Sequence, residues 1–250
     1  MSPAHFEYVL RLGDNALIVG QRLSEWCGHS PFLEEDIAMA NVALDHIGRA
    51  RMLLTHAGAL EGRGRDEDAL AYAREEREFR NCLLCELPNG DYAFTLVRQY
   101  VLDVFHRLQF GALGASTDAT LAAIAAKAVK ESVYHVRRSA QWVLRFGDGT
   151  HESHARAQAA LDEVWAYCDE LFASDAIDTE MSAAGIAAEL GTLERAWRAE
   201  VEAHFARAGL VLPRDEWRAA GGRSGLHTEH MGRLLAEMQA VPRAHPGLRW

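Results

Sequence analysis

Residues 121–142 read LAAIAAKAVKESVYHVRRSAQW. Leu121, Ile124, Ala128, Glu131, His135 and Trp142 recur at steps of three and four, with one step of seven, so they share one face of a helix. The stripe is apolar except at Glu131 and His135. Ser116-Thr117-Asp118 opens this helix and Gly147 closes it. So long an amphipathic helix needs partners of its own kind to bury its face.

Such partners lie upstream. Asp91 caps a helix that runs to about Ala115, with Leu96, Tyr100, Asp103, His106 and Phe110 along one face. Val97, Val101, Val104 and Leu108 form a second apolar face, which predicts either deep burial or an interface. The first helix spans Ala4 to Cys27 and aligns Leu10, Asp14, Leu17 and Gln21. Ser30 and Pro31 supply a cap and a first-turn proline for the second, which reaches Leu60 and aligns Asn41, Asp45, Gly48 and Met52. These four helices have roughly 24 to 29 residues each, about 36 to 44 Å at 1.5 Å per residue. A third helix, from Asp66 to just before Pro88, is the expected crossover between the two pairs.

Beyond Gly147-Asp148-Gly149-Thr150 a sixth helix reaches about Phe172. Ser174 to Gly191 reads as a loop with a short helix. Another helix runs from Thr192 to Ala208, and Thr228 caps a last one through Ala240. No segment sustains a period of two, so no sheet is expected. The expectation is an all-α, four-helix bundle with flanking helices, in one domain over residues 1–250.

Composition excludes several classes. The formal net charge of −10 argues against a nucleic-acid binder, although a local arginine cluster could still hold a small acidic ligand. No apolar run approaches the ~20 residues that span a bilayer, and the first residues lack a signal-peptide pattern. A soluble cytoplasmic protein with four reduced cysteines is expected.

Each long helix carries one mid-helix acid: Asp14, Asp45, Asp103 and Glu131. That layout resembles the ferritin-like di-iron plan, in which two helices each give a glutamate and two give Glu-x-x-His. The chain contains no Glu-x-x-His. Gly48 follows Asp45 where an imidazole would be needed, and Tyr134 follows Glu131. Asp103-x-x-His106 is the one helical Asp-x-x-His, too little for two irons; Asp148-x-x-His151 crosses a turn. The expectation is a degenerate site without metal or catalytic residues, its acids satisfied by one another or exposed.

Other constellations are weaker. Cys82-x-x-Cys85 lacks the second pair that zinc wants and reads as packing. His227-Thr228-Glu229-His230 has the wrong spacing for a metalloprotease, and Thr228 reads as a cap. His151 and His154 read as exposed. Arg223, in the loop Gly221–Gly225, could meet a phosphate, but a surface or partner contact is the plainer reading.

Six stretches carry a family resemblance: LRLGDN from Leu10, QRLSEWCGHSP from Gln21, NVALDHIGRAR from Asn41, LPNGDYAFT from Leu87, AAKAVKESVYH from Ala125 and GLHTEHMGRLLAEMQ from Gly225. With the terminal PGLRW from Pro246, they resemble the C-subunit family of the bacterial phenylacetyl-CoA epoxidase over nearly the whole chain. The resemblance implies a non-catalytic, ferritin-like subunit that pairs with a di-iron A subunit, which binds phenylacetyl-CoA and epoxidises its ring with O2. It also implies a small B subunit and an NADPH-dependent reductase carrying FAD and an iron–sulfur cluster. The alternatives are a self-contained di-iron oxidase with unusual ligands and an unrelated helical adaptor.

Overall fold

The computed structural model describes residues 2–214 and 217–248. Arg249 and Trp250, the end of the PGLRW stretch, lie outside the described residues. The described residues are helical and contain no strand, so the fold is all-α, of the ferritin-like kind expected. They form two compact units: one from residues 1–88 together with 220–250, the other from residues 89–219.

The first unit is built on a hairpin of α1 (Pro3–Ser24) and α2 (Leu33–Glu61). Ser2 caps α1 by accepting from the Ala4 N–H, with Pro3 in the first turn. Two glycines let the helices approach closely. A Cβ at Gly13 would come within 2.7 Å of Leu54, and one at Gly20 within 2.7 Å of Ile47. The expected Ser30-Pro31 start of α2 is corrected: the helix begins at Leu33, and Phe32 in the cap position makes no side-chain cap bond. Asp36 Oδ1 instead accepts from the N–H groups of Gly28 (2.8 Å) and Ser30 (3.4 Å), which holds the preceding loop outside the helix.

The expected crossover helix is also corrected. Only α3 (Glu67–Tyr72) and the single turn α4 (Leu83–Glu86) are α-helical, with a 3-10 turn at Glu76–Glu78 between them. The chain between them lies against α1. There the Arg80 N–H donates to Asp14 (2.8 Å) and the Cys82 N–H to Asn15 (2.8 Å). Donors that a helix would pair four residues back are taken by side chains of a neighbouring element, so the helix gives way.

The second unit opens on α5 (Tyr92–Leu113), capped by Asp91 as expected through the Phe94 N–H at 2.8 Å. It pairs with α6 (Ala119–Gly147). Next come α7 (His151–Val164), 3-10 turns at Trp165–Tyr167 and Asp169–Phe172, α8 (Ala176–Ala183) and α9 (Leu190–Arg207). The sixth helix is thus shorter than expected, and the short helix after Ser174 is present. The second apolar face of α5 is internal at Val97, Val101 and Val104, while Leu108 is half-buried. The three valines are fully buried, α7 and α9 pack on the helix, and Trp197 Nε1 donates to the Val101 carbonyl at 2.8 Å.

The chain returns to the first unit with a 3-10 turn at Gly222–Ser224, then α10 (Glu229–Met238) and α11 (Ala240–Ala244). Thr228 caps α10 as expected.

Gly147 ends α6 where a Cβ would meet the Ala208 carbonyl oxygen at 2.0 Å. Backbone on both sides leaves nothing flexible to yield. Gly147→Ala is expected to lower stability by about 1–3 kcal/mol, the range for overpacking, read from urea unfolding.

Candidate functional site

A close convergence of polar residues lies inside the first unit. Asp14, on α1, has no exposed surface. Arg74, just past α3, is 2% exposed and pairs with it through two guanidinium nitrogens, one at 2.9 Å. The Arg80 N–H adds a third donor at 2.8 Å. Arg74 Nη1 also donates to the Glu78 carbonyl at 2.9 Å, and its guanidinium lies 4.1 Å from the Phe79 ring centre. A carboxylate this deeply buried is tolerable only when paired and hydrogen-bonded. Both oxygens of Asp14 are already committed to protein donors.

A second knot joins the crossover to the C-terminal segment. The Glu86 side chain is fully buried and accepts from Asn81 Nδ2 (2.8 Å), the Thr228 N–H (2.6 Å) and His227 Nδ1 (2.7 Å). His227 Nε2 donates to the Phe79 carbonyl at 3.2 Å. Both ring nitrogens face acceptors, so the imidazole carries both protons. Burial works against that charge, but the Glu86 carboxylate and the Phe79 carbonyl outweigh it and hold the His227 pKa above its ordinary value. Arg22 of α1 completes the knot, donating to the carbonyls of Glu86 (3.0 Å) and His230 (3.2 Å) and to Glu25 (2.8 Å).

The other residues singled out in the sequence scatter by environment. Asp45 and Gly48 are half-buried on α2, and a Cβ at Gly48 would meet no atom within 4 Å. In the second unit Asp103 and His106 are buried on α5. Asp103 accepts from Ser139 Oγ at 2.8 Å and from Gln99 Nε2 at 3.5 Å. Glu131 lies 3.5 Å from Lys127, one turn before it on α6. Tyr134 is 49% exposed, and it is the adjacent His135 that is buried. Tyr134, three residues after Glu131 where an imidazole would be needed, thus lies outside the buried stripe of α6. Arg223 is half-buried, and Gly222 beside it lies so close to the crossover that a Cβ would meet the Asn81 carbonyl at 2.1 Å. Cys82 and Cys85 are buried free thiols, with Cys85 Sγ 3.5 Å from Asn15 Oδ1.

These residues do not fit a di-iron centre of the ferritin-like kind, which needs carboxylate oxygens open to metal and one imidazole per iron. Asp14 is held by a guanidinium, Gly48 offers no ligand atom and Tyr134 faces outward. Arg74, Glu86 and Arg22 carry the knots, yet sequence reasoning missed them, and it weighed His227 only as part of a metalloprotease-like motif. Arg74 and Glu86 fall in a segment that reads as helix, and their partners lie 60 and 141 residues away, so no local pattern marks them.

A family model described as phenylacetic acid catabolic protein matches residues 1–250. The chain is also similar to the C subunit of 1,2-phenylacetyl-CoA epoxidase from Escherichia coli (strain K12). The two are 50% identical over 243 residues, which is 97% of this chain and 98% of that protein.

Two outcomes follow from the knots. Arg74→Met leaves Asp14 buried without its cation and is expected to destabilise by about 3–5 kcal/mol. The Asp14→Leu, Arg74→Met double variant should recover much of that in urea unfolding. The raised His227 pKa gives a stabilisation that is fully present below the unfolded value of about 6.5 and lost as pH rises through the folded value. The stability gap between wild type and His227→Gln should therefore narrow as thermal melts are taken from mildly acidic to alkaline pH.

Proposed function

The chain belongs to the phenylacetic acid catabolic protein family, and from that membership we propose that it is a structural, non-catalytic subunit of a phenylacetyl-CoA 1,2-epoxidase. In this reading it pairs with a di-iron A subunit that binds phenylacetyl-CoA and transfers one oxygen atom of O2 to the ring. A small B subunit and a reductase carrying FAD and an iron–sulfur cluster complete the system, with electrons from NADPH. The chain itself holds no cofactor and works in the cytoplasm as one ferritin-like domain.

One observation carries the reading. Asp14, the acid near the middle of α1, is buried with a protein cation already on it. A guanidinium with two contacts and a backbone N–H satisfies the carboxylate without metal. Such internal pairing supports a reading in which this chain gives its long-helix frame and the partner gives the metal chemistry. The printed name of the Escherichia coli relative, a subunit of the epoxidase, agrees with a part played in company. No helix among the described residues is long and apolar enough to cross a membrane, which is compatible with a soluble complex.

The test is co-expression with the A subunit under iron-rich growth, followed by metal quantification of each purified species. Expected is a stable complex whose iron depends on A, with far less than one iron per chain in this protein alone. About two irons per chain and oxidase activity in the isolated protein would establish a self-contained enzyme instead.

A further inference from the structure

The charge of α6 runs against that of the chain. The formal net charge of the whole sequence is −10, yet this helix carries Lys127, Lys130, Arg137, Arg138 and Arg145 against the single acid Glu131. The chain's two lysines are both here. The cations divide by face. Arg138 is buried and donates to the Tyr92 hydroxyl at 2.8 Å. Lys127, Lys130, Arg137 and Arg145 are exposed, and their steps of three, seven and eight keep them along one outward face. No exposed acid of the helix accompanies them, because Glu131 is half-buried. Between Lys130 and Arg137 stand Val133 (55% exposed) and Tyr134 (49%).

Two of the four outward cations are engaged within the chain. Lys127 lies 3.5 Å from Glu131, and the Arg145 guanidinium lies 5.0 Å from the Trp142 ring centre. Among the described residues, Lys130 and Arg137 make no ion pair and the Tyr134 hydroxyl makes no hydrogen bond. We propose that this outward face of α6 docks the A subunit through an acidic helix on that partner. Lys130 and Arg137 are seven residues apart, about 10 Å at 1.5 Å per residue. A partner helix with two carboxylates at the same seven-residue spacing matches them. An apolar side chain between those carboxylates covers Val133 and Tyr134. The Tyr134 hydroxyl stands between the cations in sequence, four residues after one and three before the other, and can donate to the same carboxylates. Tyrosine and arginine together are the residue types that concentrate binding energy at the centre of an interface.

Shape and charge select an acidic protein over other anions. The donors stand on the outside of a helix, whereas small ligands are held in concave sites. A nucleic acid or an anionic membrane offers many phosphates at once. Two unengaged cations on a chain of net charge −10 are a poor match for either. A second copy brings the same negative total, so the two chains repel at long range. A different protein need bring only a local acidic strip. The inference rests on the function proposed above, in which the chain pairs with A.

The test uses the whole chain purified together with a tagged A subunit, its dissociation constant read by sedimentation at low and at high salt. Lys130→Glu, Arg137→Glu should weaken the complex tenfold or more at low salt, and the gap from wild type should close as salt rises. Tyr134→Ala should weaken it at both salt concentrations, because the apolar contact it removes is not screened. All three side chains are exposed, so the variants alone should keep the far-ultraviolet circular dichroism and melting temperature of the wild type. A wild-type chain that does not bind A would sink the proposed function and this inference with it. A wild-type complex that the charge reversal leaves unchanged would sink the inference alone. So would a charge reversal that abolishes self-association of the wild type, or its binding to phosphatidylglycerol vesicles, while sparing the complex with A.

Discussion

Asp14 has no contact with water, and everything near it in the first unit is arranged to make that tolerable. An isolated buried carboxylate would neutralise or unfold its surroundings. Arg74 prevents this, but only if the crossover leaves its helix and crosses α1 so that Arg74 and the Arg80 N–H both arrive. One charge on one helix thus dictates the path of the segment that follows the hairpin. The pair adds little net stability over a well-packed apolar substitute. Its effect is to specify a single register, because a slipped crossover would strand two charges.

The Glu86 knot extends the same logic to the chain's end. Three donors from residues 81, 227 and 228 meet one carboxylate, and Arg22 holds the carbonyl of the same residue. Four of the stretches that carry the family resemblance meet here or next to it. LRLGDN supplies Asp14 and Asn15, QRLSEWCGHSP supplies Arg22, LPNGDYAFT begins just after Glu86, and GLHTEHMGRLLAEMQ supplies His227 and Thr228. In this protein those motifs are devices for joining segments.

The frame is legible in the sequence because it is local. Apolar steps of three and four announce α1, α2, α5 and α6, and Asp91, Asp118, Thr150 and Thr228 act as caps where their positions suggest. The missing Glu-x-x-His can be read without any structure. The knots cannot be, because their energy lies in contacts between residues far apart in the chain. Arg74 and Glu86 have good helix propensity, and tertiary hydrogen bonds override it. Tyr134 misleads for a related reason. A position three residues after Glu131 lies near it on the helix, but the buried stripe of α6 passes through His135 instead.

The first unit is interrupted in sequence, and this bears on the order in which the protein is made. Residues 89–219 form the second unit as one unbroken stretch, so that unit has all its residues once Ala219 has been synthesised. The first unit is started earlier and finished later. Its hairpin and crossover emerge first, yet Glu86 waits for His227 and Thr228 from the last tenth of the chain. The part of the protein translated first is therefore completed last. A ribosome-bound intermediate would carry a finished middle and an open beginning, with a buried-to-be carboxylate still in water until termination is near.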